Sequence, residues 1–546
     1  MGGYNMSQEK QFNGTISDQV RVLIVENEPE DRNIYVDLLT LWGYQPYSVE
    51  TERMKLLSQA KELARSFRCH LALIDLRLMD DNDPDDLTGL ELARCIKPTE
   101  AIIISGYLNH QIARIIKDNG VFSFVGKEES PESLEAELEK AAQKFCACWR
   151  GLEVQPLELI RGFAGDFYRD SQDMPEDEVA DVLARLFPDA KKLRIELIEG
   201  SGHRSFTDVP RPRSKVLLAH QDDLQPQVVK LARAKKIAEE VRRYGTCIEG
   251  RLVGHFSLPI KDQAILWDIG GTVYPFLGAS TIEPFSAYYE KAGTDDIQYS
   301  LDQFFNHTWS DLYRAARQKP PGRNYVFDAY YDVWGPEWYE ERVMNFTYEE
   351  PPLKMLSQWQ ALQAPDPISW LKEWVARKSE MPLTSLAITH GDLHGDNMLV
   401  DEHRHIWAID FERSGPGPIL QDFVELEVDI ITRLAGLPED DFMSLYTLGV
   451  WLARSKNFHE LPDLPADVAP HMKKTMQVIT CLRRLAGECS GETDARQYLW
   501  GMICNVLFRA TLLPPKKQRS QHRALMLGSI FCHRLDRWDE PWPPDD

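Results

Sequence analysis

Four short apolar runs, residues 22–25, 71–74, 101–104 and 122–125, constrain the first part of this chain more than any other feature. Stretches with helical spacing separate them. Each run ends in, or is followed within two residues by, a polar side chain: Glu26 and Asn27, Asp75, Ser105, and Lys127. Continuous apolar runs alternating with helices predict a parallel sheet covered on both faces. Because crossovers in such sheets are right-handed, the carboxyl ends of the strands share one edge, where ligands bind. Four polar positions far apart in the chain are thereby expected to converge. A helix opened by Ser130-Pro131, with the apolar stripe Leu134, Leu138, Ala141, Ala142, Phe145 and Trp149, closes the unit.

The converging residues suit phosphoryl transfer to a carboxylate. Acids after the first strand would hold Mg²⁺, Asp75 would be the nucleophile, and Ser105 and Lys127 would bind the incoming phosphoryl oxygens. In VLIVENEPEDR, LALIDLRL, AIIISGY and FSFVGK, residues 20–150 resemble the receiver domain of two-component response regulators. The resemblance implies a flavodoxin-like doubly wound sheet, phosphorylation of Asp75 by a histidine kinase, Mg²⁺ held by Glu26 and Asp75, and a switch made of Ser105, Phe124 and Lys127. The sequence departs from the family in three places. Glu26-Asn27 replaces a pair of aspartates, Glu128 stands where a proline follows the lysine, and the loop from Asp75 to Gly89 is long and acidic. Glu28 is a candidate to compensate for the lost carboxylate if the loop turns it inward.

Residues 1–19 read as a polar tail and 151–190 as a linker containing one helix, at 176–187. From residue 191 to 277 the pattern is β-rich, with strands expected at 193–198, 215–220, 227–231, 254–259 and 264–269 and a helix at 233–244. Residues 278–546 read as helical except for two apolar segments at 398–400 and 406–409. A small β-rich lobe followed by a larger helical one is the expected second architecture. The acidic segment from Asp422 to Asp429 reads as a capped, partly buried helix with a solvated face.

Within the helical lobe, His390-Gly391-Asp392-Leu393-His394-Gly395-Asp396-Asn397 is followed by Ile409-Asp410-Phe411-Glu412. Phosphoryl transfer from ATP needs a carboxylate to orient the hydroxyl nucleophile, and an amide and a second carboxylate to hold Mg²⁺ against the phosphates. Asp392, Asn397 and Asp410 can take those roles in that order, and D-x-x-x-x-N is the spacing of a kinase catalytic loop. His390 reads as a core histidine bracing that loop. Upstream, Lys230 lies in an apolar strand, positioned for the α- and β-phosphates, and the next helix offers Glu239 or Glu240 to fix it. Glu240 is favoured because it shares a side with Ile237 and Tyr244. Gly200-Ser201-Gly202 could cover the phosphates through backbone contacts.

Together GDLHGDN, IDFE and VVKL resemble the aminoglycoside phosphotransferase and choline kinase group over residues 190–546, which implies a bilobal protein-kinase-like α+β fold, ATP and Mg²⁺ as cofactors, Asp392 as base, and Asn397 and Asp410 as metal ligands. The layout also resembles the phosphotransferase-like domains called ternary complex associated domains. After Asp410 the chain runs through Gly415-Pro416-Gly417-Pro418 almost directly to Asp422, leaving no segment for peptide docking, so a small-molecule acceptor is expected.

A formal net charge of −23 repels phosphate backbones and anionic lipid, arguing against nucleic-acid or membrane-surface partners and towards steering of cationic ones. Nine cysteines lack the paired spacing of zinc sites. No secretory signal or membrane span is read, and a cytoplasmic location follows. The expected protein is a signalling phosphotransferase with a receiver phosphorylated on Asp75. The alternative is a catalytically weak nucleotide or phosphate sensor that serves as a scaffold in a bacterial two-component or conflict-system assembly.

Overall fold

The apolar runs of the first part do form a parallel sheet. In the computed structural model, which describes residues 19–50, 53–80, 83, 85–106, 120–156, 158–159, 177–198, 214–221, 224–252, 259–275, 282–317, 324–348, 362–458, 460, 462–465, 468–513 and 517–543, β1 (Arg21–Val25), β2 (Gln45–Ser48), β3 (Leu71–Asp75), β4 (Glu100–Ser105) and β5 (Ser123–Gly126) lie in the order 2-1-3-4-5. That is the flavodoxin-like order, whose crevice opens beside β1 and β3. Helices α1 (Pro29–Leu41), α2 (Arg53–Ser66), α3 (Thr88–Cys95) and α4 (Pro131–Phe145) belong to this layer. Two apolar cores form, one containing Leu23, Ala72 and Ile103 and the other Val22, Leu73, Ile102 and Leu138. Successive residues of each strand thus point to opposite cores, as a doubly covered sheet requires. The edge strand β2, sequence QPYS, was not read from the sequence because it has no apolar run and is only half-buried.

The chain breaks at Cys146, continues as α5 (Ala147–Arg150), and enters a second sheet. There β6 (Glu153–Gln155), β7 (Lys192–Leu197), β8 (Lys215–Gln221), β9 (Gln227–Arg233), β10 (Asp262–Leu266) and β11 (Ile269–Pro275) are arranged 10-11-9-8-7-6. Residues 151–190, read as a linker, supply its edge strand β6 and helix α6 (Asp177–Leu186). The strand expected at 264–269 is instead a hairpin: β10 and β11 pair antiparallel, and Trp267 takes a φ of 50° at the turn. Its apolar letters come from two strands, which a run-length reading merges. At Gly271 a Cβ would lie 2.9 Å from Leu186 and 3.1 Å from Val182, so its lack of a side chain lets α6 press onto the sheet. The strand expected at 254–259 falls mostly outside the described residues.

The chain divides into two compact units. The first comprises residues 1–196, 212–237 and 261–273, and the second residues 197–211, 238–260 and 274–546. Within the first, the base of the parallel sheet is fastened to α6 and the β10–β11 turn. His70 Nε2 lies 3.2 Å from Asp181 Oδ2, both side chains being almost fully buried. Asp181 Oδ1 accepts the Ala147 N–H at 2.7 Å. Arg68 pairs with Glu178 and with Asp268, the latter at 2.7 Å, and Trp267 packs against the core around Leu23.

Helix α7 (Ala234–Arg243) is followed by a widened turn, Tyr244–Ile248, which belongs to the second unit. Short strands punctuate the helices beyond it: β12 (Ile282–Pro284), β13 (Asn324–Tyr325), β14 (Leu383–Thr384), β15 (Leu386–Thr389), β16 (Met398–Asp401), β17 (Ile406–Ala408) and β18 (Gly415–Pro418). β16 and β17 correspond to the two apolar segments read from the sequence, and β15 pairs antiparallel with β18. The principal helices are α8 (Phe285–Lys291), α9 (Thr294–Asp302), α10 (Ser310–Arg317), α11 (Val326–Trp334), α12 (Pro367–Ala376), α13 (Gln421–Asp429), α14 (Phe442–Leu452), α15 (Pro470–Ser490), α16 (Arg496–Leu512) and α17 (Gln518–Asp536). The expected solvated face of the acidic helix is absent: every residue of α13 is buried. Phe423, Val424, Leu426 and Val428 make it apolar on several sides, and its carboxylates have internal partners. No disulfide links any of the nine cysteines. Among the described residues no helix is long and apolar enough to cross a membrane.

Candidate functional site

Two clusters of predicted residues are present, one in each unit. In the first, β1, β3 and β4 carry Glu26, Asp75 and Ser105 to one edge, all three buried. Lys127, just after β5, places Nζ 2.8 Å from Glu26 Oε2, 3.1 Å from Asp75 Oδ2 and 3.2 Å from Asp31 Oδ2. Its backbone N–H donates to the Ser105 carbonyl at 3.0 Å. Phe124 is exposed on β5. The third carboxylate at the lysine is therefore Asp31 on α1; Glu28 is exposed, and its N–H donates to Glu26 Oε1. The acidic loop is organised rather than merely solvated: Asp86 accepts the N–H groups of Met79, Asp80 and Thr88 and the Thr88 hydroxyl.

One ammonium among three carboxylates leaves excess negative charge. Burial, then the neighbouring Asp75, pushes Glu26 up to about 7 from its ordinary 4.5, and burial raises Asp75 as well. Hard oxygens carrying uncompensated charge fit a divalent cation such as Mg²⁺. Since the folded chain holds a proton on Glu26 that the unfolded chain has lost, this group's stabilising contribution is full below about 4.5 and disappears as pH rises through about 7. Glu26→Gln is expected to flatten the melting temperature of the receiver-like sheet between pH 5 and 8. In the wild type, Mg²⁺ should stabilise that sheet more at pH 8 than at pH 6. Scanning calorimetry of both proteins with and without Mg²⁺ checks this, and equal pH slopes would refute it.

The second cluster is built on the loop between β15 and β16 and the residues after β17. Gly391 has a φ of 78°, and a Cβ there would lie 2.5 Å from the Arg413 carbonyl oxygen, so the turn requires glycine. His390 is fully buried; burial lowers its pKa, and the neutral ring places Nε2 2.9 Å from the Ile409 carbonyl, bracing the loop as expected. Asn397 Nδ2 donates to the Asp392 carbonyl at 2.9 Å, and the Ile409 N–H donates to the Asn397 carbonyl at 3.0 Å. Asp410 follows with a φ of 71°, a strained conformation of the kind held at functional sites. The structure thus brings Asp392, Asn397 and Asp410 together on one braced segment.

The Asp392 side chain keeps 38% of its surface exposed, and the Arg413 guanidinium stands 3.7 Å away. Partial burial opposes ionisation of Asp392, but Arg413 outweighs it and holds the carboxyl below its ordinary range. Glu240 is buried, accepting the Phe411 N–H at 3.3 Å and the Tyr274 hydroxyl, whereas Glu239 pairs with Arg242 and Arg243. The choice of Glu240 as the inward residue matches this arrangement. Lys230 is buried on β9 of the first unit. Gly200, Ser201 and Gly202 lie outside the described residues.

The sequence reading missed what holds the loop. Asp422 accepts the N–H groups of His390 and Gly391 at 3.0 and 3.1 Å, Glu425 that of Leu393 at 2.9 Å, and Asp429 that of Gly395 at 2.9 Å. Three carboxylates of α13 therefore grip successive backbone donors of the loop. Burial, followed by the charges of Asp392 and Asp422, pushes Glu425 up to about 8. Asp429 goes the other way, because Arg433 and Arg509 outweigh its burial. The signal was present in the spacing: positions 422, 425 and 429 fall on one helical face, set among apolar residues.

With Nδ2 of Asn397 committed to the loop, Oδ1 remains as its ligand atom. A hard amide oxygen with the Asp410 carboxylate fits Mg²⁺ of the kind that arrives with a nucleotide, bound by few protein ligands. Among the described residues, no group of three His, Cys, Asp or Glu side chains could hold a metal ion alone.

Comparison with solved structures finds receiver domains. That of a modulated diguanylate cyclase from Desulfovibrio desulfuricans G20 is 22% identical, covering 23% of this chain and 95% of that one, with a TM-score of 0.20. A receiver domain protein from Methanospirillum hungatei JF-1 is 20% identical, covering 22% of this chain and 92% of that one, with a TM-score of 0.19. No curated protein matches the chain. Residues 337–511, which contain the braced loop, Asp410 and α13, match the family described as ternary complex associated domain 9.

Proposed function

We propose that this chain is a signalling phosphotransferase that moves the γ-phosphoryl group of Mg²⁺-ATP to a hydroxyl of a small acceptor under the control of its receiver-like domain. The observation that carries the reading is the contrast around Asp392. Its loop is fixed by three buried carboxylates, while its own side chain remains accessible. In this reading the chain has a protein-kinase-like fold beyond the receiver. Asp392 orients the acceptor hydroxyl and takes its proton, while Asn397 Oδ1 and the Asp410 carboxylate hold the metal. When bound, Mg²⁺ neutralises charge on the terminal phosphates.

A second reading, a non-catalytic nucleotide sensor, draws on the proximity of Arg413, which lowers the basicity of Asp392. Calorimetry of Mg²⁺-ATP binding to the whole chain, run beside an ADP-release assay, separates the two. Binding with slow ADP release is expected; binding without release under any acceptor condition would select the sensor.

For the receiver-like site, we propose that Asp75 accepts a phosphoryl group from a histidine kinase or a small phosphodonor. Its edge position beside Lys127 and Ser105 supports this. Intact-mass measurement after incubation of the whole chain with acetyl phosphate and Mg²⁺ should show an adduct that Asp75→Ala lacks. An adduct of equal yield in both proteins would remove Asp75 from this role.

A further inference from the structure

We infer that Arg433 is a positioning residue for the metal ligand Asn397, acting through the neighbouring Asp396. The inference rests on the phosphotransferase reading and adds to it the residue that sets how tightly the metal is held. Gly395 and Asp396, which lead into Asn397, are clamped from two sides. From α8, the Ser286 N–H donates to the Gly395 carbonyl at 3.1 Å and the Ser286 hydroxyl to Asp396 Oδ1 at 2.5 Å. From beyond α13, Arg433 Nη1 donates to Asp396 Oδ2 at 2.6 Å, while Nε and Nη2 donate to the two oxygens of Asp429 at 2.7 and 2.9 Å. Asp429 in turn accepts the Gly395 N–H at 2.9 Å. Arg433, Asp396, Gly395 and Asp429 therefore close a ring around the peptide that precedes Asn397. Three N–H groups of one planar guanidinium make that ring, whereas an ammonium on a flexible stem does not fix the same three oxygens in one plane.

Two observations set this arrangement apart from ordinary ion pairing. The helix widens directly after Asp429: across residues 430–434 the Ala435 N–H reaches back to the Ile430 carbonyl at 2.8 Å. Such single-turn insertions recur at functional sites. This one presses onto the same peptide, since a Cβ on Gly395 would lie 3.3 Å from Leu434 Cδ1 and 3.2 Å from the Ser286 nitrogen. Asp429, moreover, has a second guanidinium, Arg509 Nη1 standing 3.3 Å from its Oδ1. Neutralising Asp429 does not by itself call for Arg433, whereas linking Asp429 to Asp396 does.

The link bears on the metal because Asn397 has little freedom left. Its Nδ2 is committed to the Asp392 carbonyl, so the place of Oδ1 follows the backbone that Asp396 anchors. Groups that orient a metal ligand without touching the metal typically change metal affinity by about 10–100-fold when removed. Loss of Arg433 leaves Asp429 beside Arg509 and still able to hold the Gly395 N–H, but it frees Asp396 from that anchor. The fold should therefore survive a change that the metal feels.

Mn²⁺ in place of Mg²⁺, titrated by electron paramagnetic resonance into the whole chain with excess β,γ-methylene-ATP, tests this. Arg433→Gln should weaken Mn²⁺ by about tenfold or more, and Arg433→Lys, which keeps the charge and loses the fork, by an intermediate factor. Arg509→Gln, which takes the other guanidinium from Asp429 and leaves Asp396 paired, should stay within a few-fold of wild type. Asp396→Asn should match Arg433→Gln, and the double variant should lose no more than either. Thermal melts of the same proteins separate affinity from stability; if Arg433→Gln does not fold, Arg433→Lys against Arg509→Gln decides. Equal Mn²⁺ affinity in wild type and the Arg433 variants, or a loss that merely tracks melting temperature across the Arg433 and Arg509 variants, would overturn the inference. The two readings fail separately. A chain that hydrolyses Mg²⁺-ATP while its Mn²⁺ affinity ignores Arg433 sinks the positioning role and leaves the phosphotransferase. Mn²⁺ affinity that follows Arg433 in a chain that never releases ADP sinks the phosphotransferase and leaves Arg433 positioning the metal of a nucleotide sensor. A chain that binds neither Mn²⁺ with the analogue nor ATP sinks both.

Discussion

Asp392→Asn is expected to lower ADP release by about 10² or more, the usual loss for a removed base, while leaving Mg²⁺-ATP affinity within a few-fold of wild type. Asp410→Asn should instead weaken Mg²⁺-ATP binding and abolish release. The split follows from what each carboxylate would touch. Asp392 would act on the acceptor hydroxyl, an interaction that gains strength at the transition state and adds little to bound nucleotide. Asp410 would carry the metal, on which both binding and transfer depend. Asparagine is the informative replacement at position 410, because Asp and Asn both tolerate the left-handed backbone found there. Loss of function in that variant therefore reports charge rather than strain. Calorimetry and ADP release measured on the same preparations check the assignment; equal loss of ATP affinity in both variants would refute it.

The second large effect concerns stability. Glu427 on α13 receives Arg483 Nε at 2.8 Å and Nη2 at 2.6 Å, and the Tyr498 hydroxyl at 2.7 Å, with both charged side chains almost wholly buried. Removing one partner of such a pair strands a buried charge at a cost of about 3–5 kcal/mol. Glu427→Ala should accordingly lower the melting temperature of the second unit by roughly 6 °C or more. Glu427→Leu combined with Arg483→Met should recover most of that loss, since apolar residues of similar volume often replace buried pairs without penalty. Because α13 also grips the 390–397 loop, Glu427→Ala should reduce ADP release along with stability. Thermal melts of the single and double variants check the pair, and additive losses would show that the two residues are not coupled.

How far the sequence could be read depended on the range of the interactions involved. Strands β1, β3, β4 and β5 were legible because a sheet buried on both faces needs continuous apolar runs, and their order carried Glu26, Asp75 and Lys127 to one edge. The braced loop was legible because Asp392, Asn397 and Asp410 lie close in the chain. Glu240 was separable from Glu239 because a helix face is a local property. Asp31 escaped notice because it reaches Lys127 from within α1, rather than from the end of a strand as Glu26 and Asp75 do. The grip of α13 on the loop was misread because solvation of an acidic helix is decided by what packs around it, here Tyr313, Arg433, Arg483 and the loop backbone. The β10–β11 hairpin was taken for one strand because a two-residue turn at Trp267 and Asp268 interrupts the apolar pattern too briefly to be seen.

The fastening of the parallel sheet to α6 has a bearing on how such a protein can be dissected or recombined. A fragment ending at residue 150 would strip Arg68 and His70 of Glu178, Asp268 and Asp181, and Trp267 from the core around Leu23. A fragment cut there is therefore expected to melt below the whole first unit. The first unit runs on to Val273, within β11, so the body that contains Asp75 already includes the strand bearing Lys230. Shuffling of this architecture would have to carry both sheets together, and truncation series should be cut accordingly.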